Sequence, residues 1–325
     1  MIESNLNLKS FIYLDSSKVN SLSAQMFGGI TEYILKSAGN NRTDSDTQKA
    51  PFGSGLSVAT ILEDQASTTE KKLFHDFLYS ALETKCFEEN IVVDIDTESV
   101  TNYFANDEPK SFIRVKGRII FNDFKITQDT LRNFNDLGYA LGVVTSGGNI
   151  SEEQINDAKE NVSDRNARAR IDANAKTVER NFRKKLLEKG LQINEDFLKN
   201  SVYVLQHGYQ DQFEVQIPFE TDTGVKMFSA ILDRSQLLED EYTLIKKFGR
   251  FTEREFTLFG TVAQKMRKDE KEPLFDFYLS PDREKEGMRE VIMGIVNTIA
   301  GVENSFTGKL DHEVVIDPIA LYIKL

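Results

Sequence analysis

"SFIRVKGRIIFNDFKI" (residues 111–126) decides the fold class of this chain. Apolar and polar side chains alternate about Gly117, the period of two that lays one face of an extended chain against a core. The glycine in mid-run predicts paired strands with a bulge or turn between them. A helical pattern follows at once, with Leu131, Phe134, Leu137 and Leu141 at spacings of three and four. The second half of the chain has the same texture. "VYVLQHGYQDQFEVQIPF" (202–219) and "VKMFSAIL" (225–232) read as three strands, and "EFTLFGTVAQ" (255–264) as another. Between them a helix after Asp233 carries Leu237, Leu238, Leu244, Ile245 and Phe248. Strands grouped beside helices predict an α+β fold, with antiparallel sheets and packed helices.

Outward from this stretch, "FIYL" (11–14) reads as a short strand. Asp15 or Ser16 caps a helix carrying Val19, Leu22 and Met26, which Gly28-Gly29 stops or bends. Residues 37–66 form a long polar loop. Ser67-x-x-Glu70 starts a helix that buries Leu73, Phe74, Phe77, Leu78 and Leu82, and "IVVDI" (91–95) is a strand. "VVTSGGN" (143–149) is a break. Near the C-terminus, Ser280 and Pro281 open a helix burying Met288, Val291, Ile292, Ile295, Val296 and Ile299. "HEVVIDPIALYIKL" (312–325) closes the chain as a strand whose proline suggests a sheet edge. The expected domains are 1–145, a helical arm at 146–200, and 201–325.

The arm is the most distinctive segment. No proline interrupts residues 151–189, Ser151-x-x-Gln154 is a capping box, and Gly190 is a natural stop. Its apolar stripe is thin and changes phase near "SDRNARAR" (163–170), which predicts a bend or a change of packing partner in a projecting helical hairpin or arm. Nine basic residues lie there: Arg165, Arg168, Arg170, Lys176, Arg180, Arg183, Lys184, Lys185 and Lys189. Three acids, Asp172, Glu179 and Glu188, oppose them, so the segment carries +6 within a chain of −12. Such a helix can meet an acidic protein surface, a second copy of the chain, or phosphates. Few aromatic side chains interleave, which disfavours base stacking.

Composition sets the outer bounds. With 40% apolar and 28% charged residues in 325, the chain has the make-up of a folded globular protein. Its negative field disfavours whole-surface binding to nucleic acid or anionic membranes. No apolar run of about 18 residues exists and the N-terminus lacks a secretory pattern, so a cytoplasmic protein without a membrane partner is expected. The single cysteine, Cys86, cannot form an internal disulfide.

Signals for chemistry are sparse. His75, His207 and His312 lie in separate elements, and His75, off the centre of an apolar helix face, reads as a surface histidine. Asp94 and Asp96 in "VVDID" share a strand face, the arrangement that can hold magnesium for nucleotidyl transfer, but the Gly-Ser turn such sites need is not adjacent. A strand end pointing carboxylates into water is the plainer reading. "FGSG" (52–55) and "SGGN" (146–149) lack the Lys-Ser/Thr of a phosphate loop. No cofactor is expected, and no enzymatic activity is named.

Several phrases together resemble a known family: "FIYLDSSKVNSLSAQ" (11–25), "FIRVKGRIIFND" (112–123), "FSAILDRSQLL" (228–238), "FTLFGTVAQ" (256–264) and "DPIALYIKL" (317–325). They are similar to a bacterial domain-of-unknown-function family with an initial Tyr-Leu-Asp and a closing Pro-Ile-Ala strand. The resemblance implies a bacterial protein, with antiphage defence as a setting, and transfers no catalytic residue. The leading expectation is an interaction protein (sensor, adaptor or regulatory subunit) acting by assembly through Arg165, Arg168, Arg170, Arg180, Arg183, Lys184 and Lys185. The alternatives are a metal-dependent enzyme on nucleotides or nucleic acid using Asp94 and Asp96, and nucleic-acid binding through the basic arm.

Overall fold

The structure, a computed structural model, describes residues 8–28, 68–105, 110–146, 152–162, 164–265, 310 and 312–325, with the isolated positions 292 and 306. The expected polar loop, residues 147–149 of the break expected at 143–149, and the helix after Ser280 apart from Ile292 lie outside the described residues. Residues 143–146 continue a helix instead of breaking, and Ile292 is helical but exposed rather than buried. By their contacts the residues form two units, 1–122 with 213–325, and 123–212. This differs from the three consecutive domains expected, because strands from both halves of the sequence enter one sheet.

That sheet is mixed and has seven strands. They are β1 (Lys9–Leu14), β2 (Val92–Ile95), β3 (Phe112–Asp123), β4 (Phe213–Thr221), β5 (Gly224–Leu232), β6 (Phe251–Lys265) and β7 (Glu313–Lys324). β3 pairs with β6, β6 with β7, β7 with β5, β5 with β4, and β4 with β3 again. The five strands therefore close a ring. β2 adds to β3 in parallel and β1 to β7 antiparallel. Side chains from all five ring strands, among them Ile113, Val115, Phe121, Phe213, Val215, Phe228, Phe256, Leu258 and Val314, meet in one buried cluster, which is the inside of the ring.

A second core lies on the outer face, under α1 (Ser16–Met26) and α2 (Thr68–Glu88). Val19, Leu78, Tyr79, Leu82 and Cys86 pack there on Leu14, Phe112, Phe259 and Tyr322. Asp15 caps α1 as expected, its carboxylate accepting from the Lys18 N–H at 2.9 Å. Phe77 is exposed rather than buried, and the Leu73 side chain lies outside the described residues. His75 is half-buried beside the Phe74 ring instead of lying on the surface.

Of the bulge or turn expected about Gly117, the turn is absent and an irregularity of the ladder is present just beyond it. β3 runs straight through the glycine, and the register shift comes between Arg118 and Ile120. Gly117 instead leaves room for a neighbour, since a Cβ there would lie 2.7 Å from Ile217 Cγ2 on β4. Pro318 does not mark an edge either: β7 has partners on both sides. The proline sits opposite Gly260, where the ladder shifts register, so its missing N–H falls where regular pairing is already interrupted. After Asp233 a single 3-10 turn, Arg234–Gln236, replaces the start of the expected helix. The α-helix over this stretch is Glu241–Phe248, and Leu238 donates its N–H to Ile12 on the free edge of β1.

Residues 123–212 form a helical unit. It contains α4 (Phe124–Arg132), α5 (Phe134–Ser146), α6 (Glu152–Glu160), α7 (Arg165–Glu188) and α8 (Glu195–Gly208). α8 overturns the strand expected at 202–208. Its β-branched composition loses to a helical pattern, Leu198, Val202 and Leu205, that Asn194 caps by accepting from the Phe197 N–H at 3.0 Å. α4 and α8 pack through the stacked rings of Phe124 and Tyr209, 4.3 Å apart.

Candidate functional site

The expected arm is two helices. α6 ends at Glu160, and α7 restarts when Asp164 accepts from the Asn166 N–H at 3.0 Å. The two stay in contact, with Lys159 and Asp172 paired at 2.5 Å. Gly190 stops α7 as expected: with φ of +70° it allows Leu191 N–H to reach Leu186 O at 2.8 Å and Gly190 N–H to reach Leu187 O at 3.0 Å. At about 1.5 Å per residue, α7 is roughly 36 Å long.

Phe182 and Leu186 hold α7 against α5. The Phe182 ring meets Tyr139 edge-on at 5.5 Å, and Leu186 lies where a side chain at position 142 would stand. Away from that apolar side, Lys176, Arg180 and Lys184 fall on the outward face, all exposed, while Arg183, also exposed, sits at the flank with its guanidinium 5.7 Å from the Tyr139 ring centre. Arg183 pairs with Glu179 at 3.0 Å and Lys184 with Glu188 at 4.0 Å, while the Arg168 Nε donates to Val162 O at 2.6 Å. Arg165, Arg170, Lys176, Arg180, Lys185 and Lys189 have no ion pair among the described residues. The structure therefore places all seven expected binding residues on one helix, exposed, and five of them, Arg165, Arg168, Arg170, Arg180 and Lys185, have no acidic partner among the described residues.

Two open clefts of about 330 and 440 Å³ lie in the same unit and share Arg132. Its guanidinium is already occupied, donating to Asp129 at 2.7 Å and to Gln128 at 3.3 Å. Both are open grooves rather than enclosed pockets, the smaller lined in part by Leu131, Leu198 and Val202 and the larger mostly by polar side chains.

In the sheet unit, Asp94 and Asp96 are not brought together. Asp94 stands opposite Arg114 in the β2–β3 ladder, and Arg114 Nε donates to Asp94 Oδ1 at 2.8 Å with a second nitrogen on Oδ2. Asp96 lies beyond the end of β2 and caps the turn into α3 (Val100–Ala105). Its carboxylate accepts from Ser99 N–H at 2.9 Å, Ser99 Oγ at 2.8 Å and Glu98 N–H at 3.1 Å. Those bonds, Ser99 foremost, hold its pKa below the ordinary value. Because the folded pKa is depressed, its stabilisation is complete above the unfolded value of about 3.9 and is lost as pH falls through the folded one. Asp96→Ala is expected to lose about 1 kcal/mol at pH 6. In urea titrations the gap to wild type should narrow as pH falls below the unfolded value of about 3.9, and a gap that stays the same size through that fall would refute the capping role.

A buried ionic cluster went unseen in the sequence. Glu83 on α2 receives the Tyr322 hydroxyl from β7 and the Lys9 ammonium from β1, and Arg114 Nη1 from β3 approaches it to 3.6 Å. The side chains of Lys9 and Glu83 are only 7% and 6% exposed. The Lys9 ammonium also lies 4.9 Å from the Tyr79 ring centre and 5.2 Å from that of Tyr322. Burial, then the Glu83 charge, raises the Tyr322 pKa well above the ordinary phenol range and pushes the Cys86 thiol up to about 11. The hydroxyl stays protonated to donate and the thiol stays inert, so the cluster ties four elements together rather than presenting a nucleophile. The available signal was Tyr79-Glu83-Cys86, an acid at i+4 on an apolar helix face.

Among the described residues, no three His, Cys, Asp or Glu side chains group to hold a metal ion, and no helix is long and apolar enough to cross a membrane. The fold and its surfaces define an α+β protein that joins a ring-closed sheet to a helical unit bearing an exposed basic helix. Residues 8–322 match the family described as Domain of unknown function (DUF6414), and the chain belongs to that family. No curated protein and no solved structure matches it.

Proposed function

We propose that the protein acts by assembly, as a sensor, adaptor or regulatory subunit that engages an acidic protein surface through α7. The observation that carries this reading is the outward cationic face of α7, held in place by Phe182 and Leu186 on its other side. A protein partner is favoured over nucleic acid because α7 has one aromatic residue, Phe182, and that ring is packed inward. A bacterial, cytosolic setting in antiphage defence is the context suggested by its resemblance to the family's motifs.

The test is native mass spectrometry of the protein purified gently from its own host, wild type beside Arg180→Glu with Arg183→Glu. Wild type is expected to carry a partner protein that the double variant loses. Equal recovery of partner by both would overturn the role of α7. Recovery of nucleic acid alone, with affinity falling steeply with salt, would replace the protein reading with phosphate binding.

A further inference from the structure

α5 is an anomaly in a chain so rich in charge. Its thirteen residues, "FNDLGYALGVVTS", include one charged side chain, Asp136. In the sequence Leu131, Phe134, Leu137 and Leu141 run as one apolar pattern of a single helix. The structure breaks that pattern at Asn133, where α4 ends, and turns its second part outward. Leu137 is 59% exposed, Leu141 48% and Val144 80%, with Phe134 half-buried in line behind them. The spacing 134, 137, 141, 144 is three-four-three, the seam of a helix that packs on another helix. α7 does not occupy that seam: it packs on the Tyr139 and Gly142 side of α5.

We infer that this seam is where two copies of the chain meet in solution, α5 against α5. The inference rests on the assembly reading above but on a different helix. Two features point to a second copy as the occupant. The seam is flanked by Ala140 and Thr145, which permit close approach and present no like charges to their own image. The charge distribution agrees. Residues 123–212 carry 13 basic and 14 acidic side chains, whereas the rest of the chain carries 27 and 38. Two acidic copies therefore repel least where their helical units face each other. A seam of three turns buries less than the ~1,600 Å² of a standard interface, so a dissociation constant in the micromolar range is expected.

Sedimentation equilibrium on the full chain, from about 1 to 200 μM, reads this directly, a span chosen to bracket micromolar dissociation. The mass of wild type should rise from 37.0 kDa towards twice that value. Leu141→Glu with Val144→Glu should stay monomeric throughout, and Val144→Glu alone, at the most exposed position, should shift the midpoint at least tenfold. Leu187→Glu, exposed but off the seam, should behave as wild type. A wild type that remains monomeric, or a double variant that dimerises unchanged, overturns the inference. Arg180→Glu with Arg183→Glu separates the two readings, because it should lose the partner and keep the dimer. A monomeric wild type that still recovers a partner refutes only the seam.

Discussion

Glu83→Ala is expected to destabilise the sheet unit by about 3–5 kcal/mol, because it leaves buried cations without their counter-charge. Lys9 has no other acid paired with it among the described residues, and Tyr322 loses the acceptor for a hydroxyl buried between α2 and β7. Arg114 suffers less, since Asp94 still holds its guanidinium by two hydrogen bonds. Equilibrium urea unfolding would read the loss. Glu83→Leu combined with Lys9→Met removes acid and ammonium together and should recover most of it, as replacing a buried pair by apolar side chains is often neutral. A loss below about 1 kcal/mol for Glu83→Ala would show that the cluster is well solvated, the regime of surface ion pairs.

Gly138→Ala should have a comparable effect on the helical unit. A Cβ at this position would lie 1.7 Å from the carbonyl oxygen of Leu191 and 2.8 Å from its carbon. Both are backbone atoms, so no side chain can rotate out of the way. The segment cannot retreat freely, because Asn135 grips it twice: Asn135 Nδ2 donates to Ile193 O and Ile193 N–H donates to Asn135 Oδ1, each at 2.9 Å. Overpacking against fixed backbone puts the expected cost at about 3 kcal/mol. Hydrogen exchange should quicken across α5 and the start of α8 while the amides of β3, β6 and β7 keep their protection. Gly190→Ala is the contrast: its φ is +70° but nothing lies within 4 Å of the added carbon. Only backbone strain of about 1–2 kcal/mol is expected there. If the two alanines cost the same, close approach is not what demands glycine at 138.

Much of the local structure was legible in the sequence. The Asp15 cap and the Gly190 stop depend on backbone groups within a few residues, and each was readable from residue type and position. The alternation in β3 and the grouping of strands beside helices sufficed for the α+β class, and the chain does belong to a family described as a domain of unknown function, as its resemblance implied. The basic run of α7 is a property of composition, so its charge needed no coordinates.

The errors share one cause. β-branched and aromatic residues at 202–204 suggest a strand when propensity is taken without the helix face that buried Leu198 and half-buried Val202 create. Pro318 suggested an edge because the sequence does not show that Gly260, nearly 60 positions earlier, offers a register shift opposite it. Glu83 acquires its role only because β1, β3 and β7 bring Lys9, Arg114 and Tyr322 around it. The outward turn of Leu137, Leu141 and Val144 was invisible for the same reason: periodicity shows that a helix has an apolar face, and only the neighbours decide whether that face is covered. By itself, then, the sequence determined which segments are helix-capped, which alternate, where the cations gather and that the chain resembles a family of unknown function. The tertiary structure decided which strands close the ring, which charges are buried together and which apolar face is left open, because pairing and burial depend on residues far apart along the chain.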